Sequence, residues 1–174
     1  MNEMLVLVDI FDNAIGVCDK EACHRQGLLH RAFSVFLYTG DRLLIQQRAA
    51  GKYHSGGLWT NSCCSHPMEG ETLRDAVRRR LREEMGLDCA CEELFSFVYH
   101  HRFGPDLYEY EFDHVWAGKY QGDIFLNPEE AADARWISFA ELAEELVRRP
   151  EAYTVWFLTA APKVLAALME RNDG

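Results

Sequence analysis

The segment Tyr108-Glu109-Tyr110-Glu111-Phe112 places acids at alternate positions. Side chains alternate across a strand, so Glu109 and Glu111 share one face while Tyr108, Tyr110 and Phe112 share the other. The plain interpretation is a half-buried strand with its acids in water. Two like charges on neighbouring same-face positions repel, however, and a divalent cation relieves that repulsion. A third carboxylate lies on an unexpected surface. Thr72 to Met85 has helical periodicity, and at about 100° per residue Leu73, Ala76, Val77 and Leu81 fall within about 80° of Glu84. Arg80 shares that apolar stripe, whereas Asp75, Arg79 and Arg82 point away. A charge on a core-facing stripe needs a partner, because burying it alone costs several kcal/mol. Either Glu84 and Arg80 form a structural (i, i+4) pair, or a metal-binding carboxylate stands beside an anion-binding arginine.

These residues belong to a chain of 174, of which 48% are hydrophobic and 12% aromatic. That suffices for one buried core and excludes intrinsic disorder. The formal net charge of −10 argues against a non-specific nucleic-acid binder. An anionic small molecule is compatible only if local cations overcome the global field. Met4–Val8 is an apolar run interrupted by Asp9, without a cationic leader and too short to span a bilayer. Cys18, Cys23, Cys63, Cys64, Cys89 and Cys91 contain no CxxC and are awkwardly spaced for disulfides, which points to reduced thiols and a cytoplasmic location. No repeat or linker divides the chain, so residues 1–174 are expected to form one domain.

The elements that must position these groups read as follows. Met4–Ile10 and Ile15–Cys18 form a hairpin turned at Asp12-Asn13. Ala32–Tyr38 and Arg42–Arg48 form another around Thr39-Gly40-Asp41. Residues 49–67 are loop-like. Thr72 caps the helix that Gly86 closes. Leu94–His101 and Leu107–Ala117 are strands around Gly104-Pro105, and Ala134–Ile137 is a short strand. Ser138–Val147 and Ala152–Met169 are helices separated by Pro150. The mixture predicts an α+β fold, a mixed sheet with helices on its faces.

Glu71, the seven residues to Arg79, then Leu81, Glu83-Glu84, Gly86 and Leu87 resemble a degenerate Nudix box, G-x5-E-x7-R-E-U-x-E-E-x-G-U with U bulky and aliphatic. Ser65 stands where the first Gly belongs and Arg80 where the box has Glu, which weakens the case for a diphosphate hydrolase. Ahead of the box, Trp59-Thr60-Asn61-Ser62-Cys63-Cys64-Ser65-His66-Pro67 is similar to the cysteine motif of the type 1 isopentenyl diphosphate isomerases, an offshoot of the Nudix fold. Two adjacent cysteines alone would suggest packing; the nine-residue string is far more specific. The similarity runs from about Lys20 to Trp156.

That resemblance implies a Nudix-type α/β/α sandwich with N-terminal and C-terminal extensions. It implies Cys64 as catalytic, and Glu111 as both catalytic acid/base and metal ligand. It assigns His24, His30, His66 and Glu109 to the same ion; each histidine alone would pass for an ordinary surface or core residue. Such a donor set suits Mn²⁺ or Zn²⁺. Lys20, Arg48, Lys52 and Arg80 match positions that hold the substrate diphosphate or its Mg²⁺, and Arg48 and Lys52 flank Gly51 in a loop suited to gripping phosphate. Glu84 would help hold the Mg²⁺, and Tyr99 and Trp156 match an active-site tyrosine and tryptophan. His54, His100, His101 and His114 receive no role. The reaction implied is conversion of isopentenyl diphosphate to dimethylallyl diphosphate in isoprenoid biosynthesis, with no nucleic acid or membrane insertion involved. Oligomeric state is not indicated. Two alternatives stay open: a Mg²⁺-dependent hydrolase using Glu71, Glu83 and Glu84, and a non-enzymatic module with structural zinc.

Overall fold

The computed structural model describes residues 3–172; Met1, Asn2, Asp173 and Gly174, the ends of the unit expected over 1–174, lie outside them. The chain opens with β1 (Met4–Val8) and β2 (Ala14–Asp19), paired antiparallel. The Asp9 carboxylate accepts from Phe11 N and Asn13 N at their turn. Asp19 then caps a short helix, α1 (Lys20–Gln26), which Gly27 ends at φ 64. Sequence periodicity missed α1, because seven residues span only about two turns, too few to establish a 3.6-residue pattern.

The centre of the sheet is β3 (His30–Thr39), beginning two residues earlier than expected. It pairs antiparallel with β4 (Arg42–Arg48) through the expected hairpin. On its other side it runs parallel to β8 (Leu107–Lys119), His30 opposite Glu111. β8 pairs in turn with β7 (Glu92–Gly104). β7 outruns its expected end because its ladder with β8 continues to the Gly104–Leu107 pair, and β8 outruns its expected end because it stays paired with β3 to Tyr38–Lys119. β9 (Ala131–Ser138) lies antiparallel to β4 and is also longer than expected. The stretch expected as loop contains two short strands, β5 (Trp59–Thr60) on β4 and β6 (Cys63–Ser65) on β3. Their pairing is long-range and carries no local signal.

Three further helices complete the layers. In α2 (Leu73–Met85), Thr72 accepts from Asp75 N at the N-cap, and Gly86 closes the helix at φ 62. Its Ala76, Val77, Leu81 and Met85 pack on Phe33, Val35, Leu37 and Trp116, one face of the sheet. The opposite face, with Phe36, Ile45 and Val115, is covered by α3 (Phe139–Arg148) and α4 (Val155–Asn172). The last helix begins three residues after the expected Ala152, because Pro150–Ala152 forms a 3₁₀ turn and Tyr153 bridges to Trp59. The result is an α+β architecture with helices on both faces of a mixed sheet. No helix among the described residues is long and apolar enough to cross a membrane.

Candidate active site

A cavity of about 650 Å³ opens between β3, the loop of residues 49–58, the second half of α2, Tyr99 of β7 and the start of β8. Its wall holds most of the residues singled out from sequence: Lys20, Arg48, Lys52, Cys64, His66, Arg80, Glu84, Tyr99, Glu109, Glu111 and Trp156. His24 and His30 are buried in contact with it, His24 3.4 Å and His30 3.7 Å from Glu109 Oε2. Residues from α1, β3, the turn after β6 and β8 thus converge.

Four donor atoms, one each from His24, His30, His66 and Glu109, lie within 4.8 Å of one another. Glu111 is beside them, its Oε1 3.2 Å from His66 Nε2 and 3.6 Å from His30 Nε2. His24 Nε2, His30 Nε2 and Glu109 Oε2 are buried without a hydrogen bond. Each such orphan costs about 1–3 kcal/mol, and three gathered at one point fit a divalent ion. His30 Nδ1 faces Leu28 O at 2.9 Å; donating there leaves Nε2 free as an acceptor, the tautomer a metal ligand needs. Burial, aided by the neighbouring His66 and His30, lowers the His24 pKa to about 3 and keeps its ring neutral. Burial and the Glu111 charge raise the Glu109 carboxyl. Burial opposes ionisation of Glu111 as well, but the neighbouring His30 and His66 outweigh it and hold this carboxyl well below its usual range.

Cys64 and Glu111 arrive from strands on opposite sides of β3, Cys64 opposite Ser34 and Glu111 opposite His30. Burial raises the Cys64 thiol strongly; Arg48 opposes this, while Glu84 and Glu111 reinforce it. The thiol therefore keeps its proton at neutral pH. Tyr99 is the cross-strand neighbour of Glu111, and burial with the Glu111 charge raises its phenol well above the ordinary value. Trp156 is fixed by its Nε1–H donating to Asn61 Oδ1 at 3.2 Å, and the Arg48 guanidinium stands 5.2 Å from its ring centroid. Cys63 faces the other way, into the α2 side of the core.

The cations are already engaged. Lys20 pairs with Glu3 at 2.7 Å, and Lys52 pairs with Glu130. Arg80 donates to Glu83 at 2.7 Å and to Glu84 at 2.6 Å, with Glu130 at 3.4 Å. The pairing expected between Glu84 and Arg80 and their position in the cavity wall are thus both present. Arg48 and Arg80 each keep a buried Nε–H without a partner, donors suited to an anion. Glu71 is bound at both oxygens by Arg79, at 2.8 and 2.9 Å.

Three residues of the site escaped the sequence reading. His54, given no role there, donates or accepts at Glu109 Oε1 over 2.8 Å. Tyr53 donates to the same oxygen at 2.9 Å. Glu130 pairs with two of the cations. All three lie in loops without periodicity; the only available signal was an aromatic–histidine pair directly after Lys52 in a glycine-rich stretch.

The family model of the NUDIX domain matches residues 28–157. A crystal structure of a Deinococcus radiodurans protein, 22% identical, superposes with a TM-score of 0.76, covering 92% of this chain and 98% of the other. Fold and box therefore define a NUDIX protein, with β1, β2, α1 and most of α4 lying outside the matched region. The chain is 50% identical over 167 residues to isopentenyl-diphosphate Delta-isomerase 2 of Aromatoleum aromaticum, covering 95% of this chain and 88% of that one. It is 51% identical over 172 residues to isopentenyl-diphosphate Delta-isomerase of Serratia proteamaculans, covering 98% and 96%. The chain belongs to the isopentenyl-diphosphate Delta-isomerase family of NUDIX proteins.

Proposed function

We propose that the chain interconverts isopentenyl diphosphate and dimethylallyl diphosphate, and that residues 1–174 act as one isomerase domain. An unactivated alkene is a feeble base, so the site must bring a proton donor to the terminal carbon and a base to the opposite side of the nascent double bond. Protonation at the terminal carbon leaves a tertiary carbocation, and loss of a proton from the carbon nearer the diphosphate completes the shift. The observation that carries this reading is the pairing of Cys64, which holds its proton, with ionised Glu111, in one cavity. Trp156 offers the cation a π-face.

Arg48, Arg80, Lys20 and Lys52 bind the diphosphate in this proposal, displacing Glu3 and Glu130 from their present pairs. Glu84 would hold the Mg²⁺ that enters with the diphosphate, and that ion would neutralise phosphate charge. His24, His30, His66, Glu109 and Glu111 would hold a resident Mn²⁺ or Zn²⁺, which would sharpen the acidity of Glu111 and fix its orientation. Arg80, tied to Glu83 and Glu84, engages the carboxylates that a hydrolase would need, which favours leaving the diphosphate intact. Six free cysteines suit the cytoplasm, where thiols stay reduced.

The test is incubation with isopentenyl diphosphate and Mg²⁺ in deuterated water, read by NMR. Deuterium entering a dimethylallyl product is expected. Phosphate release from nucleoside diphosphate compounds, without alkene isomerisation, would overturn the proposal.

A further inference from the structure

Glu109 divides its two oxygens between different neighbours. Oε2 is buried, lacks a hydrogen bond and lies nearest His24 and His30. Oε1 is held by the Tyr53 hydroxyl at 2.9 Å and by His54 Nε2 at 2.8 Å. The Ser55 hydroxyl lies 3.0 Å from His54 Nδ1; donating there leaves the proton on Nε2, so that His54 donates to the carboxylate. The ring of His54 is locked by stacking on Phe103 at 4.0 Å and 11°. Tyr53 also stacks on the His24 ring at 5.5 Å and 14°. Two rigid donors on one oxygen leave a carboxylate a single orientation, with its other oxygen presented to the histidines. Both donors belong to the loop that carries Lys52, and Arg48 clasps that loop by donating to His54 O at 3.2 Å.

We propose that Tyr53 and His54 are positioning residues that aim Glu109 Oε2 into the histidine cluster, making the affinity for a divalent ion depend on the loop that also grips the diphosphate. This rests on the metal-site reading above. Partners of metal ligands typically contribute about 10–100-fold to affinity, because a misdirected carboxylate must be reordered before it binds.

The experiment strips the full-length protein with a chelator and titrates it with Mn²⁺ or Zn²⁺ alone, against a competing chromophoric chelator. Four variants separate the roles. Tyr53→Phe removes only the hydroxyl and keeps the ring on His24. His54→Phe keeps the stack on Phe103 but loses the donor, while His54→Gln keeps a donor at a similar reach. Glu109→Gln reports on the site itself. The expected result is about tenfold weaker binding for Tyr53→Phe and for His54→Phe, with circular dichroism unchanged, and recovery of most affinity in His54→Gln. If Glu109→Gln loses the metal while Tyr53→Phe and His54→Phe bind as wild type, the positioning role is overturned and the metal site stands. His54→Gln as weak as His54→Phe also overturns it. Wild-type binding by Glu109→Gln removes Glu109 from the site, and the proposal with it.

Discussion

Cys63 and Cys64 are adjacent, yet β6 turns their side chains to opposite sides of the sheet. Cys63 is fully buried among the residues that meet α2, while Cys64 lines the cavity. Cys64→Ala is expected to abolish isomerisation with little change in melting temperature. Cys63→Ala is expected to keep turnover and lose about 1 kcal/mol, the consequence of a small cavity in a close-packed interior. Turnover and thermal melts of both variants check this, and equal loss of turnover would show that the loop's shape matters rather than one thiol. Arg80 gives a second contrast. Its removal leaves the nearly inaccessible Glu84 carboxylate facing Glu130 with only Gln46 Nε2, at 3.2 Å, still donating to it. Arg80→Gln should therefore cost about 3 kcal/mol in denaturant melts, and millimolar Mg²⁺ should restore part of that loss by supplying the missing positive charge.

At the scale of elements, α2 was readable because cap, stripe and closing glycine agree within the fifteen residues from Thr72 to Gly86. The alternation that puts Glu109 and Glu111 on one face of β8 was readable for the same local reason. β5, β6 and the pairing of β3 with β8 were not, because their registers are set by residues far away in sequence. Tyr53 and His54 were missed because a loop has no period against which a functional side chain can stand out. Arg79 adds a further tie between α2 and the site: it binds Glu71 at both oxygens and reaches His66 O at 3.4 Å. Arg79's hydrogen bonds hold the Glu71 carboxyl below its ordinary value of 4.5 against the opposing effect of burial, with Met68 N assisting. A carboxyl depressed on folding contributes stability above about pH 4.5, and that contribution fades as pH falls through the folded value. Glu71→Gln should thus cost roughly 1 kcal/mol at pH 7, given the pair's partial exposure. Unfolding curves at pH 7 and pH 3 should show the difference between wild type and variant shrinking on acidification; a constant difference would mean that the ion pair is not its source.

Across the whole molecule, the proposed metal ligands come from α1, β3, the turn after β6 and β8, so an ion would tie together segments that span most of the chain. A ligand that binds only the folded form stabilises it by about 2.7 kcal/mol when present at 100 times its dissociation constant. Stripping with a chelator should lower the melting temperature, and Mn²⁺ or Zn²⁺ should restore it where Mg²⁺ alone does not, because imidazole-rich sites disfavour Mg²⁺. An unchanged melting temperature on stripping would show that the histidine cluster does not brace the fold. In a chain of net charge −10, the cavity wall gathers Lys20, Arg48, Lys52 and Arg80, a concentration that composition alone conceals.

The parallel pairing of β3 with β8 also shapes how the molecule comes into being. His30 meets Glu111 across about eighty intervening residues, and nine consecutive partner pairs follow the same offset. A chain emerging from the ribosome completes β3 long before β8 exists, so the central ladder cannot zip from a local nucleus. Loop closure on that scale places the rate in the slower range for mixed folds, roughly milliseconds to seconds. Until it happens, the edge of β3 that β8 will occupy keeps its backbone groups unpaired, and the nascent chain passes through a window in which it is vulnerable to self-association.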